Sequence, residues 1–419
     1  MSLWLWKGRG NSQELIHCRH CLRPFERTHM LVECRSRTCE VRDEVGVLGP
    51  RRFDAAEAGL WRDGRLHLDE EACPYCDVTG SLETVCPHCR QPLGIDQGED
   101  QVFAIIGASA AGKTHFLAAV LHQLLEAEGA GSAWKVALSE AEMRVFRERY
   151  LDPLFEELRV LSATPHGLEA ELRLTLENVA DGRRVLLVFR DLSGEIFVDP
   201  ELLSRLSFLR YARGVLLMTD PLAFPPPAGR TPGDAAAATQ SALAWRENGQ
   251  PDALEILTTY RQVLEDRDRK ADEAALPLRP EDKVLAVTVT KVDLVLPAGH
   301  PFWQPERDGH LEAGFWERRG DEGAEVLRWV EENLSRKLVR ETRSFADVGW
   351  FFTSSIGYPL QPDRDRLPRP PQPRRVLEPI FGLLDRLTAA EDAGDGGGDP
   401  PAGGRPGPRR RDRGEDWGL

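Results

Sequence analysis

The eight residues Gly107-Ala-Ser-Ala-Ala-Gly-Lys-Thr114 constrain this chain more than any others. They fit G-x4-G-K-[ST]. They follow the apolar run Val102–Ile106 and open a stretch with Phe116, Leu117, Val120, Leu121, Leu124 and Leu125 at helical spacing. Strand, glycine loop and helix in that order make a cradle for phosphate. Gly107 and Gly112 let the backbone curl, Ala108, Ser109, Ala110 and Ala111 line the loop between them, and the helix N-terminus adds its positive end. Lys113 places a point charge on the β- and γ-phosphates, and the Thr114 hydroxyl is a ligand for Mg2+. A nucleoside triphosphate with magnesium is the implied ligand.

Beyond this loop, apolar runs alternate with helical patterns. Strands are expected at Glu169–Leu176 (alternating, as at a sheet edge), Val185–Phe189, Val215–Met218, Val284–Val289 and Trp350–Phe352. Helices are expected over 139–160, 253–269, 321–338 and Val376–Leu387. The alternation predicts an α/β fold, a mostly parallel sheet with helices on both faces. Residues 221–250 read as a surface insertion, extending to about 280 with the helix that follows. The Gly-, Pro- and Arg-rich stretch 391–419 reads as a disordered tail.

Three strand ends carry further chemistry. Asp191-Leu-Ser-Gly194 is a D-x-x-G pattern, in which Asp191 reaches Mg2+ through water and the Gly194 N–H meets the γ-phosphate. Asp220 ends the next strand, but Pro221 follows it and no glycine completes the pattern, so it reads as a turn or cap residue. Thr290-Lys-Val-Asp293 fits [NT]-K-x-D. The Asp293 carboxylate accepts from guanine N1–H and the 2-amino group together, two donors that adenine lacks, while the Lys291 stem lies over the base. Thr290 stands where Asn is commoner and is expected to brace the loop less firmly. At Ser354-Ser355, ending the last strand, a backbone N–H can read guanine O6.

All eight cysteines lie before residue 90. They form the pairs Cys18/Cys21, Cys34/Cys39, Cys73/Cys76 and Cys86/Cys89, and a Cys-x-x-Cys turn supplies two vertices of a zinc tetrahedron. Two four-thiolate Zn2+ sites follow, in a zinc-ribbon-like module over 1–98. Sequential assignment is favoured, and a cross-braced pairing such as 18/21 with 73/76 stays open. Residues 1–98 carry 13 Lys/Arg against 15 Asp/Glu, and the whole chain has a net charge of -14, which argues against nucleic acid as a partner. The module is read as a structural or docking element. No apolar run approaches the ~18–20 residues of a membrane helix. Met1–Trp6 is too short for a signal peptide, so a cytoplasmic protein is expected.

The four nucleotide motifs, in this order over about residues 99–390, resemble the TRAFAC class of P-loop GTPases, with a Ras-like fold. Joined to two N-terminal cysteine clusters, they resemble the bacterial double-GTPase families. That resemblance implies GTP and GDP as ligands and protein partners, a second GTPase among them, in multi-protein bacterial systems associated with biological conflict. It also implies a switch I threonine that ligates Mg2+ just before the second strand. Thr164 stands in that place, with Ser162 as an alternative. Glu195 occupies the position where such switches often carry glutamine. It can orient the attacking water, but its charge beside the γ-phosphate predicts slow hydrolysis without a partner or an added arginine, Arg190 being the nearest in sequence. Two other readings stay open: a P-loop ATPase in which Thr290–Asp293 is coincidental, and a nucleotide-binding scaffold with little hydrolysis.

Overall fold

The computed structural model describes residues 15–18, 21, 23–26, 29–42, 48–62, 65–68, 71–93, 103–108, 111–129, 134–138, 140–161, 170–178, 184–191, 209, 212–224, 251–265, 279–304, 320–359 and 365–395. The cysteine-rich segment is built of short strands: β1 (Leu15–His17), β2 (Pro24–Glu26), β3 (Leu31–Cys34), β4 (Val41–Arg42), β5 (Leu48–Gly49), β6 (Arg51–Asp54), β7 (Trp61–Arg62), β8 (Arg65–Leu66) and β9 (Leu82–Val85). β3 is the centre of an antiparallel sheet of order β6-β3-β9, and the other strands pair as two-stranded ribbons. The core here is small: Val32, Phe53, Ala55, Leu60 and Leu68 pack beside buried cysteines. So little apolar surface is a weak source of folding energy, and metal-held loops suit it.

The larger sheet contains β10 (Phe103–Gly107), β11 (Trp134–Ala137), β12 (Ala170–Asn178), β13 (Arg184–Asp191), β14 (Gly214–Thr219), β15 (Val284–Val289) and β16 (Asp347–Phe352), in the order β11-β12-β13-β10-β14-β15-β16. β13, β10, β14, β15 and β16 run parallel, whereas β12 is antiparallel to both its neighbours. Every residue of β10, β14 and β15 is buried. That is why these strands are continuous apolar runs and not alternating ones. β12 alternates as expected but is not the edge, because β11 covers it. Its register sets Ala170 opposite Asp191. Because β13 is parallel to β10, β12 begins and β13 ends at the same end of the sheet as Gly107.

The helices are α1 (Lys113–Gly129), α2 (Glu140–Phe146), α3 (Ala253–Glu265), α4 (Gly320–Asn333), α5 (Arg336–Thr342) and α6 (Glu378–Asp395). α3 buries Ile256, Leu257, Tyr260, Val263 and Leu264, one face at i, i+1, i+4, i+7, i+8. It is a crossover helix of the sheet, between β14 and β15, and not part of a surface insertion. The expected helix over 321–338 divides because Ser335 accepts from the Leu338 N–H at 3.2 Å and starts α5 afresh. The charged stretch after residue 139 is α2 followed by a wider π-turned segment, Arg147–Glu156, with Pro153 inside it. Proline has no N–H to give to the ordinary ladder. α6 runs to Asp395, past the expected Leu387. The rest of the tail, and most of 221–250, lie outside the described residues.

Gly214 opens β14 directly against Phe103. A Cβ there would stand 2.6 Å from the ring, and Phe103 is fully buried. Gly214→Ala should therefore cost about 1–3 kcal/mol by overpacking, seen as a Tm several degrees lower, and Phe103→Leu in the same chain should recover part of it. An unchanged Tm would contradict this packing.

Candidate nucleotide site and cysteine clusters

Gly107 ends β10 where β14 comes closest: a Cβ would meet Met218 Cβ at 2.8 Å and Met218 O at 3.0 Å. Gly112, at φ 87°, makes the left-handed turn that releases the chain into α1. Between them the Ala111 N–H donates to Ala108 O (3.2 Å). Ser109 and Ala110 lie outside the described residues. Lys113 is 5% exposed, and its ammonium donates to Gly107 O (3.0 Å) and Ala108 O (2.8 Å). The cation is thus held within the loop, and Thr114 follows it in the first turn of α1.

The Thr290–Asp293 turn stands beside this loop. Thr290 is buried. Its hydroxyl donates to Ala111 O (3.0 Å) and lies 3.3 Å from Thr219 O, which also accepts the Thr290 N–H (2.9 Å). The expected looser brace is therefore a direct hydrogen bond between the two motifs. Lys291 takes φ 51° and its ammonium pairs with Asp220 at 2.6 Å. Asp220 also accepts from the Leu222 N–H (2.9 Å) and so caps the turn that follows. Its link to Lys291 escaped the sequence reading. That link depends on β14 and β15 ending in register, Thr219 against Val289, which no local pattern carries.

Asp293 accepts from the Ser354 hydroxyl, which is buried and also accepts the Gly357 N–H (2.8 Å). Burial pushes the Asp293 carboxyl above its usual range, against the opposing pull of the Ser354 bond and the Lys291 charge. Ser354 departs from its expected part. Its own N–H donates to Arg374 O (3.1 Å), so that group is not available to a base, and its hydroxyl aims Asp293 instead. His115, after Thr114, is held neutral down to about pH 4 by burial and by the nearby Lys291 charge, and its Nε2 accepts the Leu161 N–H (3.2 Å).

Asp191 is the last residue of β13, at the Gly107 end of the sheet. Thr164, Gly194 and Glu195 lie outside the described residues, as does Ser162.

The cysteines form two groups, Cys18/Cys21/Cys86/Cys89 and Cys34/Cys39/Cys73/Cys76, and within each the four sulfurs lie within 4.8 Å of one another. The pairing is nested, and this corrects the sequential assignment as well as the 18/21 with 73/76 alternative. The reason is the antiparallel register of β3 with β9, Leu31 opposite Val85 and Cys34 opposite Leu82. Chain before β3 meets chain after β9 at one end, and chain after β3 meets chain before β9 at the other. Three of the turns close alike, the first cysteine N–H reaching the carbonyl five residues on: Cys18 to Arg23, Cys73 to Val78 and Cys86 to Gln91, at 2.9–3.1 Å. Asp77 and Arg90, just after the second cysteine, have φ of 56° and 62°. Cys34/Cys39 departs from this, with Cys39 in a short 3-10 turn capped by Ser36.

The donor set fits zinc. Across the pairs, the Cys18–Cys89 sulfurs are 3.6 Å apart, while those of Cys21–Cys86, Cys34–Cys76 and Cys39–Cys73 are each 3.7 Å apart. A tetrahedron with ~2.3 Å Zn–S bonds has edges of about 3.8 Å. A disulfide needs ~2.05 Å, and all eight cysteines are free. Hydrogen bonds from Cys18 and Cys21 pull the Cys86 thiol down to about 4, while bonds to Cys18 and Cys86 push the Cys21 thiol up. Among the described residues, no histidine enters either group.

A mostly parallel, helix-flanked sheet whose first strand runs into this glycine loop defines a P-loop α/β protein of the nucleotide-binding class. Residues 101–301 match the family model Double-GTPase 2, and to that family of GTPases the segment is similar. No curated protein matches the chain. Among the described residues, no helix is long and apolar enough to cross a membrane.

Cys18→Ser with Cys89→Ser removes ligands from a single nested site, so metal analysis should fall from two zinc ions per chain to one. Loss of both would overturn the nested pairing. Thr290→Val leaves Ala111 O without its hydroxyl donor and should cost about 1–2 kcal/mol of nucleotide affinity. Titration against wild type measures this, and equal affinities would show that the tie does not matter.

Proposed function

We propose that the chain is a GTP-binding and GTP-hydrolysing switch, with a zinc-held module over 1–98 that docks protein partners and a GTPase domain over about 99–390. The observation that carries the reading is the 3.0 Å bond from Thr290 to Ala111, which ties the base-selecting turn to the phosphate loop. Lys113 would neutralise charge on the β- and γ-phosphates. Asp293, aimed by Ser354, would accept from guanine N1–H and the 2-amino group. The Ser355 N–H, next to the engaged Ser354, is the donor we assign to guanine O6. Thr114 and Asp191 would hold Mg2+, Asp191 through water, and the ion would supply positive charge against the phosphates.

Hydrolysis is in-line attack of water on the γ-phosphorus: the new P–O bond forms to water oxygen, the bond to the β–γ bridging oxygen breaks, and GDP leaves with phosphate. Thr164 is assigned to Mg2+ as the switch I threonine, and Glu195 to orienting the water. A carboxylate at residue 195 makes unaided turnover slow, and a partner would supply the missing positive charge. A second GTPase is the partner we propose, in a bacterial multi-protein system.

Asp293→Asn tests the base assignment. Loss of the bidentate charged contact should weaken GTP by about 2–3 kcal/mol, roughly 30- to 150-fold. The amide can instead donate to a 2-carbonyl, so xanthosine triphosphate should gain affinity. Stability should move the other way. A carboxyl whose folded pKa lies above the unfolded value of about 3.9 costs stability when ionised, and acid relieves that cost. At pH 7 the Asn variant should therefore match or exceed the wild-type Tm, with the advantage shrinking as pH falls toward 4. Unchanged GTP affinity would remove guanine selection from Asp293 and revive the ATPase reading.

A further inference from the structure

Asp220 follows the last residue of β14 and is buried, a place where a carboxylate is costly unless it is paired. One oxygen, Oδ1, accepts the Leu222 N–H (2.9 Å) and caps the short turn after the strand. The other, Oδ2, takes the Lys291 ammonium at 2.6 Å. A cap needs only the first bond, and serine or asparagine would make it. The second bond fixes the far end of a long side chain. Its near end is already set, because the Thr290 N–H is bonded to Thr219 O and Lys291 turns at φ 51°. A lysine stem is among the most flexible of side chains, and this one is held at both ends. The Lys291 side chain is 32% exposed against 1% for Asp220, so the carboxylate is the buried anchor and the stem keeps a part in the open. Asp293 is a second carboxylate near the same cation, and Lys291 and Asp220 act on it in opposite senses. The direct bond goes to Asp220, while Asp293 is bonded by Ser354. The cation and the base-reading carboxylate thus have separate partners.

We propose that Asp220 is a positioning residue for base binding: it holds the Lys291 stem in place as the apolar floor on which a purine ring lies. The inference rests on the GTP-switch reading, which sets a base beside Asp293. A floor meets the face of the ring and not its edge, so it serves guanine and hypoxanthine alike. Asp293 reads the edge, where the 2-amino group of guanine counts. The two contributions therefore separate by base. Loss of the floor weakens both purine nucleotides equally, and loss of the edge contact weakens guanine most.

The test uses the full-length chain in three forms. Asp220→Asn keeps an oxygen for the Leu222 N–H and removes the charge that holds Lys291. Asp220→Asn with Lys291→Met removes both charges, so neither is left buried alone, and keeps an unbranched stem. Affinities are measured for GDP and for inosine diphosphate, which lacks the 2-amino group. Amine labelling of Lys291 is followed without nucleotide, against exposed Lys337 as reference. We expect Asp220→Asn to bind both nucleotides roughly three- to tenfold more weakly, the cost of ordering one long side chain on binding, with their ratio unchanged. Lys291 should label severalfold faster in it than in wild type. Adding Lys291→Met should change either affinity by less than about twofold, because a loose lysine and a methionine must both be ordered on binding. Wild-type GDP affinity in Asp220→Asn overturns the proposal. So does a loss for GDP that spares inosine diphosphate, or Lys291 labelling that stays at the wild-type rate. Should Asp220→Asn fail to fold, the double variant makes the same comparison: equal weakening of both nucleotides supports the proposal and wild-type binding overturns it. Wild type that binds neither nucleotide sinks the GTP reading and the proposal together, whereas wild-type binding with an unaffected Asp220→Asn sinks the proposal alone.

Discussion

A single threonine hydroxyl, that of Thr290, joins two motifs that lie 179 residues apart in the chain through its bond to Ala111 O. The parallel run β10-β14-β15 brings these strand ends side by side, but sheet pairing alone leaves loops free to splay. The hydroxyl removes that freedom, because Ala111 O sits inside the phosphate loop and Thr219 O inside the neighbouring strand end. An asparagine would make the same tie with a longer arm. Threonine suffices because the main chain of 290 is already bonded to Thr219.

Antiparallel pairing does comparable work in the cysteine module. β3 and β9 are four residues each, and their register alone decides which thiols meet. Nesting also means that each metal would close the chain across a long loop, since the outer group joins Cys21 to Cys86 and the inner group joins Cys39 to Cys73. A link across a longer loop removes more freedom from the unfolded chain, which matters for a segment with so small an apolar core.

Most of the larger sheet was legible in sequence because its central strands are buried on both faces and written as unbroken apolar runs. β15 was read to the residue. β11 was missed: Trp-Lys-Val-Ala is too short to show a period, and it takes its place from pairing with β12. The phosphate loop and the Thr290–Asp293 turn were legible because their spacing is local. What sequence could not give is what depends on contacts between distant segments: the nested cysteines, the Lys291–Asp220 pair, and the engagement of the Ser354 N–H by Arg374. Composition is silent on register, and each of these follows from register. The single helix expected over 321–338 failed for a more local reason, since the capping serine at 335 sits in an otherwise helical pattern.

Three residues that break local rules stand at the candidate nucleotide site. Lys291 holds a left-handed φ that costs a side-chain-bearing residue about 1–2 kcal/mol. Asp293 is a carboxylate that burial disfavours, and Gly357 packs so tightly on Gln372 that a Cβ would collide with its carbonyl. Each is held by neighbours that are not themselves strained: Thr290 and fully buried Val292 flank Lys291, and Ser354 bonds both Asp293 and the Gly357 N–H. Strain that persists where the surroundings overdetermine it is a mark of preorganisation. A base entering this site would meet a carboxylate already oriented and already desolvated, so binding would not have to order it first. The same desolvation that lowers the stability of the empty fold would strengthen the hydrogen bonds of the proposed guanine contact.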